Sequence, residues 1–186
     1  GSKYPLFTVR YTRAFKNIFG SDVEFDRWRF SVQDNINFKV AGEFRYNLSL
    51  GGFLSAHRVE LPDYQHFNGN LVTKANPYLN SFQLLPYYAL SNKDKFYSFI
   101  HAEHRFNGFL TNKIPVVRRF NLRLVAGTNI YFSGTRDNYY EVFTGLDNIL
   151  KIFRVDYVWS FNNLAGYRTH GVRIGIRAFN ALFDDY

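Results

Sequence analysis

The sequence contains no cysteine, which excludes a disulfide framework, thiolate chemistry and a cysteine-based zinc site. It also lacks any run near the roughly 18 consecutive apolar residues of a membrane-spanning helix, although 46% of its residues are hydrophobic. Basic residues give a net charge of +8, but they recur singly and not in runs. This spacing argues against a nucleic-acid partner. No targeting segment is visible, and Gly1-Ser2 resembles a cloning remnant, so we expect the native N-terminus to lie upstream.

Aromatic residues and period-two alternation dominate what is present. Aromatics make up 20% of the 186 residues, a length that suits one all-β domain spanning residues 1–186. Alternation of apolar and polar residues predicts about nine strands. They are expected at 6–15, 26–33, 42–50, 81–90, 96–106, 122–132, 139–146, 154–161 and 171–179. Residues 55–80 lack clean alternation and predict a long loop or a crossing element.

The two faces of each predicted strand differ sharply, as the stretch GVRIGIRAF at 171–179 illustrates. One face is almost purely apolar and includes Phe44, Tyr46, Leu48, Leu50, Val172, Ile174 and Ile176. The other face carries charges of both signs, together with His101. We select from it Glu43, Arg45, His101, Glu103, Arg105, Arg123, Glu141, Arg173 and Arg177 as a candidate network. Arg10, Arg27, Arg29, Arg154 and Asp156 share that face.

Two architectures fit this alternation, because period two is the same in both. A soluble sandwich or barrel would bury the apolar face, whereas a membrane barrel would expose it to lipid and enclose the charges. Arginine prevails over lysine within the strands, aromatics gather near the strand ends, and nearly every strand is similarly amphipathic. These features favour an antiparallel up-and-down transmembrane β-barrel of roughly 8–10 strands, with the apolar set facing lipid and the charged network in the lumen.

Several ordered blocks resemble one known family. They are HFNGN (66–70), LLPYY (84–88), HAEHRFNGFLTNKIPVVRRFNLRLVAGTN (101–129), NYYEVFTGLDNILKIFRVDYV (138–158) and GVRIGIRAF (171–179). They are similar to the C-terminal barrel region of large outer-membrane proteins of Bacteroidota, a domain of unknown function that often follows a carboxypeptidase-regulatory-like domain. More distantly, LPDYQHFNGN (61–70) looks like part of BamA-type surface-antigen barrels.

The resemblance implies a bacterial outer-membrane location, with membrane lipid, or detergent in its place, as the immediate partner. It places the connections around Lys93 and Arg136 on the outer side. Lys93, Lys95 and Arg136 would then be able to contact the phosphates of lipopolysaccharide. The resemblance supplies no reaction.

Candidate chemistry is sparse. His101 and Glu103 share a strand face, but their spacing is not that of the helical zinc-protease motif. Ser98 or Ser160 with a histidine could suggest a hydrolase, and Asp63, His66 and Asn70 could suggest a cation site; in each case a structural role is favoured. We therefore expect no catalytic residues, metal or cofactor, and a non-enzymatic membrane anchor, scaffold or narrow pore. The alternatives are a soluble barrel or sandwich that binds a small ligand and an outer-membrane enzyme that modifies lipid.

Overall fold

The computed structural model describes residues 4–176 except 18–19, 108–114, 116–119, 136–137 and 162–168. It contains eight β-strands and two short 3₁₀ turns, Lys39–Ala41 and Leu61–Asp63. The strands are β1 (Leu6–Ala14), β2 (Glu24–Asn37), β3 (Glu43–Arg58), β4 (Tyr97–Phe106), β5 (Arg123–Ser133), β6 (Tyr139–Ile149), β7 (Phe153–Phe161) and β8 (His170–Ile176).

All eight strands form one antiparallel sheet in which each strand pairs with its neighbour in sequence. The predicted all-β, antiparallel, up-and-down arrangement is therefore confirmed. The prediction of a closed barrel is not confirmed. Within the described residues, β1 pairs with β2 alone, and β8 pairs with β7 and with a short loop segment but not with β1. At that second edge, Ala75 N donates to Ile174 O at 2.8 Å and Ile174 N donates to Thr73 O at 2.9 Å. Residues 73–75 thus occupy backbone groups that a closing strand would otherwise use.

One of the nine predicted strands, 81–90, is wrong. These residues belong to the connection between β3 and β4, residues 59–96, which we call the inner segment. Residues 81–85 are all buried, so burial there does not alternate as it does in a strand with one covered face. Pro86 follows directly and has no N–H to extend a ladder. The predicted loop at 55–80 also begins too early, because residues 55–58 still belong to β3.

Strands β2 and β3 are longer than predicted, and β3 continues through Gly51 and Gly52. A Cβ at Gly51 would lie 2.4 Å from Tyr97 Oη, and one at Gly52 would lie 2.0 Å from Lys95 O. The two glycines therefore let the start of β4 approach the middle of β3. They interrupt the alternating pattern without ending the strand.

The inner segment covers one face of the sheet, which we call the inward face. Two buried clusters join the two layers. The first contains Phe67, Phe82, Leu85, Leu90, Tyr97, Phe99, Tyr131 and Tyr139, and the second contains Ala75, Tyr78, Leu84, Val125, Phe143 and Val158. Among the described residues, no helix is both long and apolar enough to cross a membrane.

The outward face bears the apolar residues singled out in the sequence. None of Phe44, Tyr46, Leu48, Leu50, Val172, Ile174 and Ile176 is buried. By contrast, the inward face buries His101, Glu103, Glu141 and Arg173 almost completely. These polar side chains are thus hidden, whereas the apolar side chains of the outward face are exposed or half-buried.

Candidate functional site

A buried carboxylate organises the charged side chains near one end of the sheet. Glu103, on β4, is fully buried, and its Oε1 accepts a hydrogen bond from Arg45 Nη2 at 2.8 Å. The same oxygen lies 2.8 Å from Arg105 Nε. Strand register explains the first contact, since Arg45 on β3 lies directly opposite Glu103. One carboxylate therefore serves two guanidinium groups from its own and the neighbouring strand.

A third guanidinium reaches Glu103 from a distant strand. Arg154, on β7, contacts Glu103 Oε2 through Nη1. Strands β5 and β6 lie between β4 and β7, and neighbouring strands are separated by about 4.8 Å. A flat sheet would hold these two side chains too far apart to meet. The contact therefore requires the sheet to curl around its inward face.

Arg154 also joins the strands to the inner segment. Its Nε donates to Asp156 Oδ2 at 2.7 Å, and the same oxygen accepts from Tyr78 Oη at 2.7 Å. The guanidinium carbon of Arg154 lies 4.1 Å from the centre of the Tyr78 ring, a cation–π contact. Burial and the neighbouring Asp156 carboxylate raise the pKa of Tyr78 well above its ordinary value. The phenol therefore stays protonated and remains a donor.

A second buried carboxylate, Glu141 on β6, binds the backbone of the inner segment. Its Oε2 accepts from Gln83 N at 2.8 Å, and its Oε1 accepts from Leu84 N at 2.7 Å. Asn129 Nδ2 and Tyr139 Oη complete the shell at 2.8 and 2.9 Å. Two consecutive backbone N–H groups that no strand partner satisfies are thus paired with an anion.

Further side chains fix the same segment from neighbouring strands. Arg173 Nε donates to Gln83 O at 2.6 Å. The backbone of Gln83 is therefore bound at its N–H by Glu141 of β6 and at its carbonyl by Arg173 of β8. Asn47 Nδ2, on β3, donates to Leu79 O at 2.9 Å. Together with Tyr78, these contacts anchor residues 78–84 to four different strands. The arrangement attaches this part of the inner segment firmly to the sheet.

The structure brings together part of the predicted network. Arg45, Glu103 and Arg105 meet as described, whereas Glu141 and Arg173 lie at the inner segment. Glu43 and Arg123 begin β3 and β5; Glu43 accepts from Asn35 Nδ2 at 2.5 Å, and Arg123 lies opposite Asp147. Arg177 lies outside the described residues. The sequence placed Arg154 and Asp156 on this face without assigning them to the network.

Several network members were missed altogether. Tyr78 and Gln83 come from the inner segment, and no alternation pattern predicts which strand a loop will contact. Asn129 and Tyr139 are on strands and have the inward parity, so their position could have been found; they were overlooked because neither is charged.

The candidate catalytic and cation-binding residues lie apart or have other partners. His101 Nδ1 is 2.9 Å from Asn129 Oδ1, in a buried site. Alternation along β4 turns Ser98 to the outward face, away from His101. His66 Nδ1 is 2.8 Å from Ser91 Oγ, and Asn70 Nδ2 donates to Lys74 O at 2.7 Å. In the part of the chain that the structure describes, no three His, Asp or Glu side chains are grouped closely enough to hold a metal.

Comparison with known proteins places the chain in a family. The model of the C-terminal domain of DUF5686, a family of unknown function, matches residues 1–146. The chain belongs to this family, which confirms the resemblance to a C-terminal domain of unknown function. The more distant link to BamA-type barrels is not confirmed. No curated protein and no solved structure matches the chain.

Proposed function

We propose that this member of the DUF5686 family is a non-enzymatic membrane anchor of the bacterial outer membrane. Its sheet would cross the bilayer with the apolar face against lipid and the charged face around the inner segment. The domain would hold a larger envelope protein in place, as the sequence resemblance to outer-membrane proteins of Bacteroidota implies.

The inversion of burial between the two faces carries this proposal. Val142, Val172 and Ile174 on the outward face are each 43% exposed, whereas Glu103, Glu141 and Asp156 on the inward face are 0% exposed. In water, such an arrangement would sacrifice the burial energy of the apolar side chains and also remove the charges from solvent. In lipid, the outward face needs no further cover, and the inward charges are shielded by one another.

The contents of the inward face favour an anchor over a wide pore. The inner segment fills the space in front of β4 to β8 with the aromatic and aliphatic clusters described above. Its backbone is bound by Glu141, Arg173 and Asn47. Movement of this segment would break several buried hydrogen bonds at once.

Closure of the sheet is part of the proposal. Unpaired backbone N–H and C=O groups cost several kcal/mol each in the hydrocarbon core of a bilayer. In a membrane, the free edge of β1 and the remainder of the free edge of β8 would therefore have to pair. They could do so with each other, with residues outside the described part, or with another chain.

Contact with lipopolysaccharide remains a prediction. Lys93 and Lys95 are exposed and precede β4, at the same end of the sheet as the turn between β5 and β6. This position suits an interaction with phosphates at a membrane surface. Arg136, the third predicted contact, lies outside the described residues.

The test compares Ile174→Arg on the outward face of β8 with Leu150→Arg in the turn between β6 and β7. Leu150 is the more exposed of the two, 79% against 43%, so any general effect of adding an exposed arginine should be larger there. In a bilayer, an arginine facing lipid costs about 2 to 4 kcal/mol at mid-depth and little near the interface. We expect Ile174→Arg to reduce insertion into liposomes, measured by protease protection after refolding, while Leu150→Arg inserts like the wild type.

Two results would contradict the proposal. If both variants inserted equally well, the outward face would not be in contact with lipid. If the wild type stayed monomeric in water without detergent and Ile174→Arg merely raised its solubility, the soluble-barrel alternative would be favoured.

A further inference from the structure

Three arginines on the first hairpin differ from those of the network because no acidic side chain among the described residues pairs with them. The register places Arg10 of β1 directly opposite Arg29 of β2. Arg27, two residues before Arg29 on β2, has the same inward parity. Like charges directly opposite each other destabilise a strand pair. A negative charge held between the two guanidinium groups would remove this repulsion.

The described residues do not supply that charge. Within them, no ion pair includes Arg10, Arg27 or Arg29, whereas Arg45, Arg105 and Arg154 all contact Glu103. Of the three acidic residues of β2, Asp26 and Asp34 have the opposite parity and point outward, and Glu24 is exposed at the start of the strand, opposite Arg58. Asp26 accepts from Tyr11 Oη there.

The guanidinium groups have some neutral contacts, but these leave binding capacity free. Arg27 Nη1 donates to Asp63 O at 3.2 Å, and the guanidinium carbon of Arg29 lies 5.3 Å from the centre of the Phe99 ring. The buried Nε of Arg29 has no hydrogen-bond partner among the described residues. An aromatic face beside a guanidinium orients it without using its N–H donors.

A cavity lies directly in front of these side chains. Its volume is about 520 Å³, and it separates the inward face of β1 to β4 from the inner segment. Among the described residues, Arg10 and Arg29 line it together with hydroxyl, amide, imidazole and apolar groups, and no carboxylate does. Arg10, Arg27 and Arg29 all line a second, smaller cavity of about 40 Å³ beside it. The free edge of β1 borders the larger space, because Leu6, Thr8 and Arg10 form one of its walls.

The groups that line the cavity favour one class of anion. Guanidinium groups bind phosphate oxygens through paired N–H donors, and several arginines together compensate a dianion well. The neutral lining includes Ser31, Ser49, Asn47 and Asn68, which suit the hydroxyl groups of a sugar or polyol. The volume is sufficient for a group of that size.

We propose that the cavity bounded by Arg10, Arg29 and the inner segment binds a phosphomonoester, with Arg27 assisting at its rim. The phosphate would be carried either by a small soluble molecule or by a lipid headgroup. This site is separate from the outward face that carries the proposed membrane function. Binding can be measured in detergent, so its outcome does not depend on whether the sheet spans a bilayer.

The experiment measures binding to the whole chain in neutral detergent micelles by isothermal titration calorimetry. One arm uses inorganic phosphate and glucosamine 1-phosphate, and the other uses mixed micelles that contain phosphatidic acid, with phosphatidylcholine as the reference. The test variant is the double substitution Arg10→Gln/Arg29→Gln. The matched control is Arg13→Gln, an arginine of the same strand on the opposite face, which pairs with Asp26 at 3.4 Å.

We expect the double variant to weaken binding at least about tenfold, since it removes two charged hydrogen-bonding partners, while Arg13→Gln binds like the wild type. Binding in the first arm assigns the site to a soluble phosphomonoester, and binding in the second arm alone assigns it to a lipid headgroup. Should the double variant fail to fold, Arg29→Lys keeps the charge and removes the paired donors. It should then weaken binding without changing the circular dichroism spectrum.

The inference is overturned if the wild type binds in neither arm, or if Arg13→Gln weakens binding as much as the test variants. It is also overturned if the test variants bind with unchanged affinity. Each of these outcomes would leave the membrane proposal untouched.

Discussion

Glu103→Gln is the substitution that tests the buried network most severely. The glutamate is fully buried and contacts three guanidinium groups, those of Arg45, Arg105 and Arg154. Glu103 is thus the carboxylate that all three guanidinium groups contact, and Arg154 also contacts Asp156. The amide removes this shared negative charge and replaces one acceptor oxygen with an NH₂ group that cannot accept from a guanidinium.

The magnitude follows from the cost of leaving buried charges without a partner. Removing one member of a buried ion pair typically costs about 3 to 5 kcal/mol, and here Arg154 is itself buried. We expect the free energy of unfolding to fall by about that amount. The measurement is a urea titration in detergent micelles, monitored by the fluorescence of Trp28 and Trp159.

The matched control is Glu43→Gln, the same chemical change on the neighbouring strand. Glu43 is half-buried and its recorded contact is with the neutral side chain of Asn35, so the expected loss is under about 1 kcal/mol. A double variant, Glu103→Gln/Arg154→Met, should be less destabilised than the sum of its two single changes, because it removes one of the unpaired charges. The reasoning is refuted if Glu103→Gln and Glu43→Gln lower stability equally.

Two further predictions concern the inner segment. Glu141→Gln replaces one of the oxygens that bind Gln83 N and Leu84 N. Amide exchange at residues 81–85 should therefore accelerate at least about tenfold, while exchange in β3 stays unchanged. Hydrogen–deuterium exchange with mass spectrometry measures both. Unchanged exchange at 81–85 would mean that Glu141 does not hold the segment. Tyr78→Phe removes the donor to Asp156 and should cost about 1 to 2 kcal/mol in the same urea titration. Because the pKa of Tyr78 is raised, this contact should persist in mildly alkaline solution, and loss of the difference between wild type and Tyr78→Phe near pH 10 would contradict that account.

The strands themselves were largely predictable, because alternation is a local property of the sequence. Eight of the nine predicted strands exist, and Glu103, Glu141 and Arg173 lie on the buried face. Residues 81–90 were misassigned because their apolar character reflects burial within a loop, which local periodicity cannot distinguish from strand pairing. The C-terminal part of β3 was missed because Gly51 and Gly52 have no side chain to continue the pattern.

The partners of the buried charges were less predictable. Glu103 and Arg154 are 51 residues apart and meet only because the sheet curls across two intervening strands. The candidate network grouped Glu141 with charged residues and His101 and overlooked the backbone N–H groups of Gln83 and Leu84, which donate to it from the inner segment. Pairings of this kind depend on tertiary curvature and on the path of a loop, and neither is encoded in period-two alternation.

The inversion of the two faces is tested most directly by single-cysteine spin labels, which the absence of native cysteine makes straightforward. Labels at Val155 and Val172, on the outward face, are compared in liposomes with a label at Leu150, in the turn between β6 and β7. The account predicts that oxygen, which concentrates in lipid, relaxes the two outward labels more strongly than a water-soluble nickel chelate does, with the reverse at Leu150. If the chelate reached Val155 and Val172 as readily as Leu150, the apolar face would be meeting water, and the central claim would be contradicted.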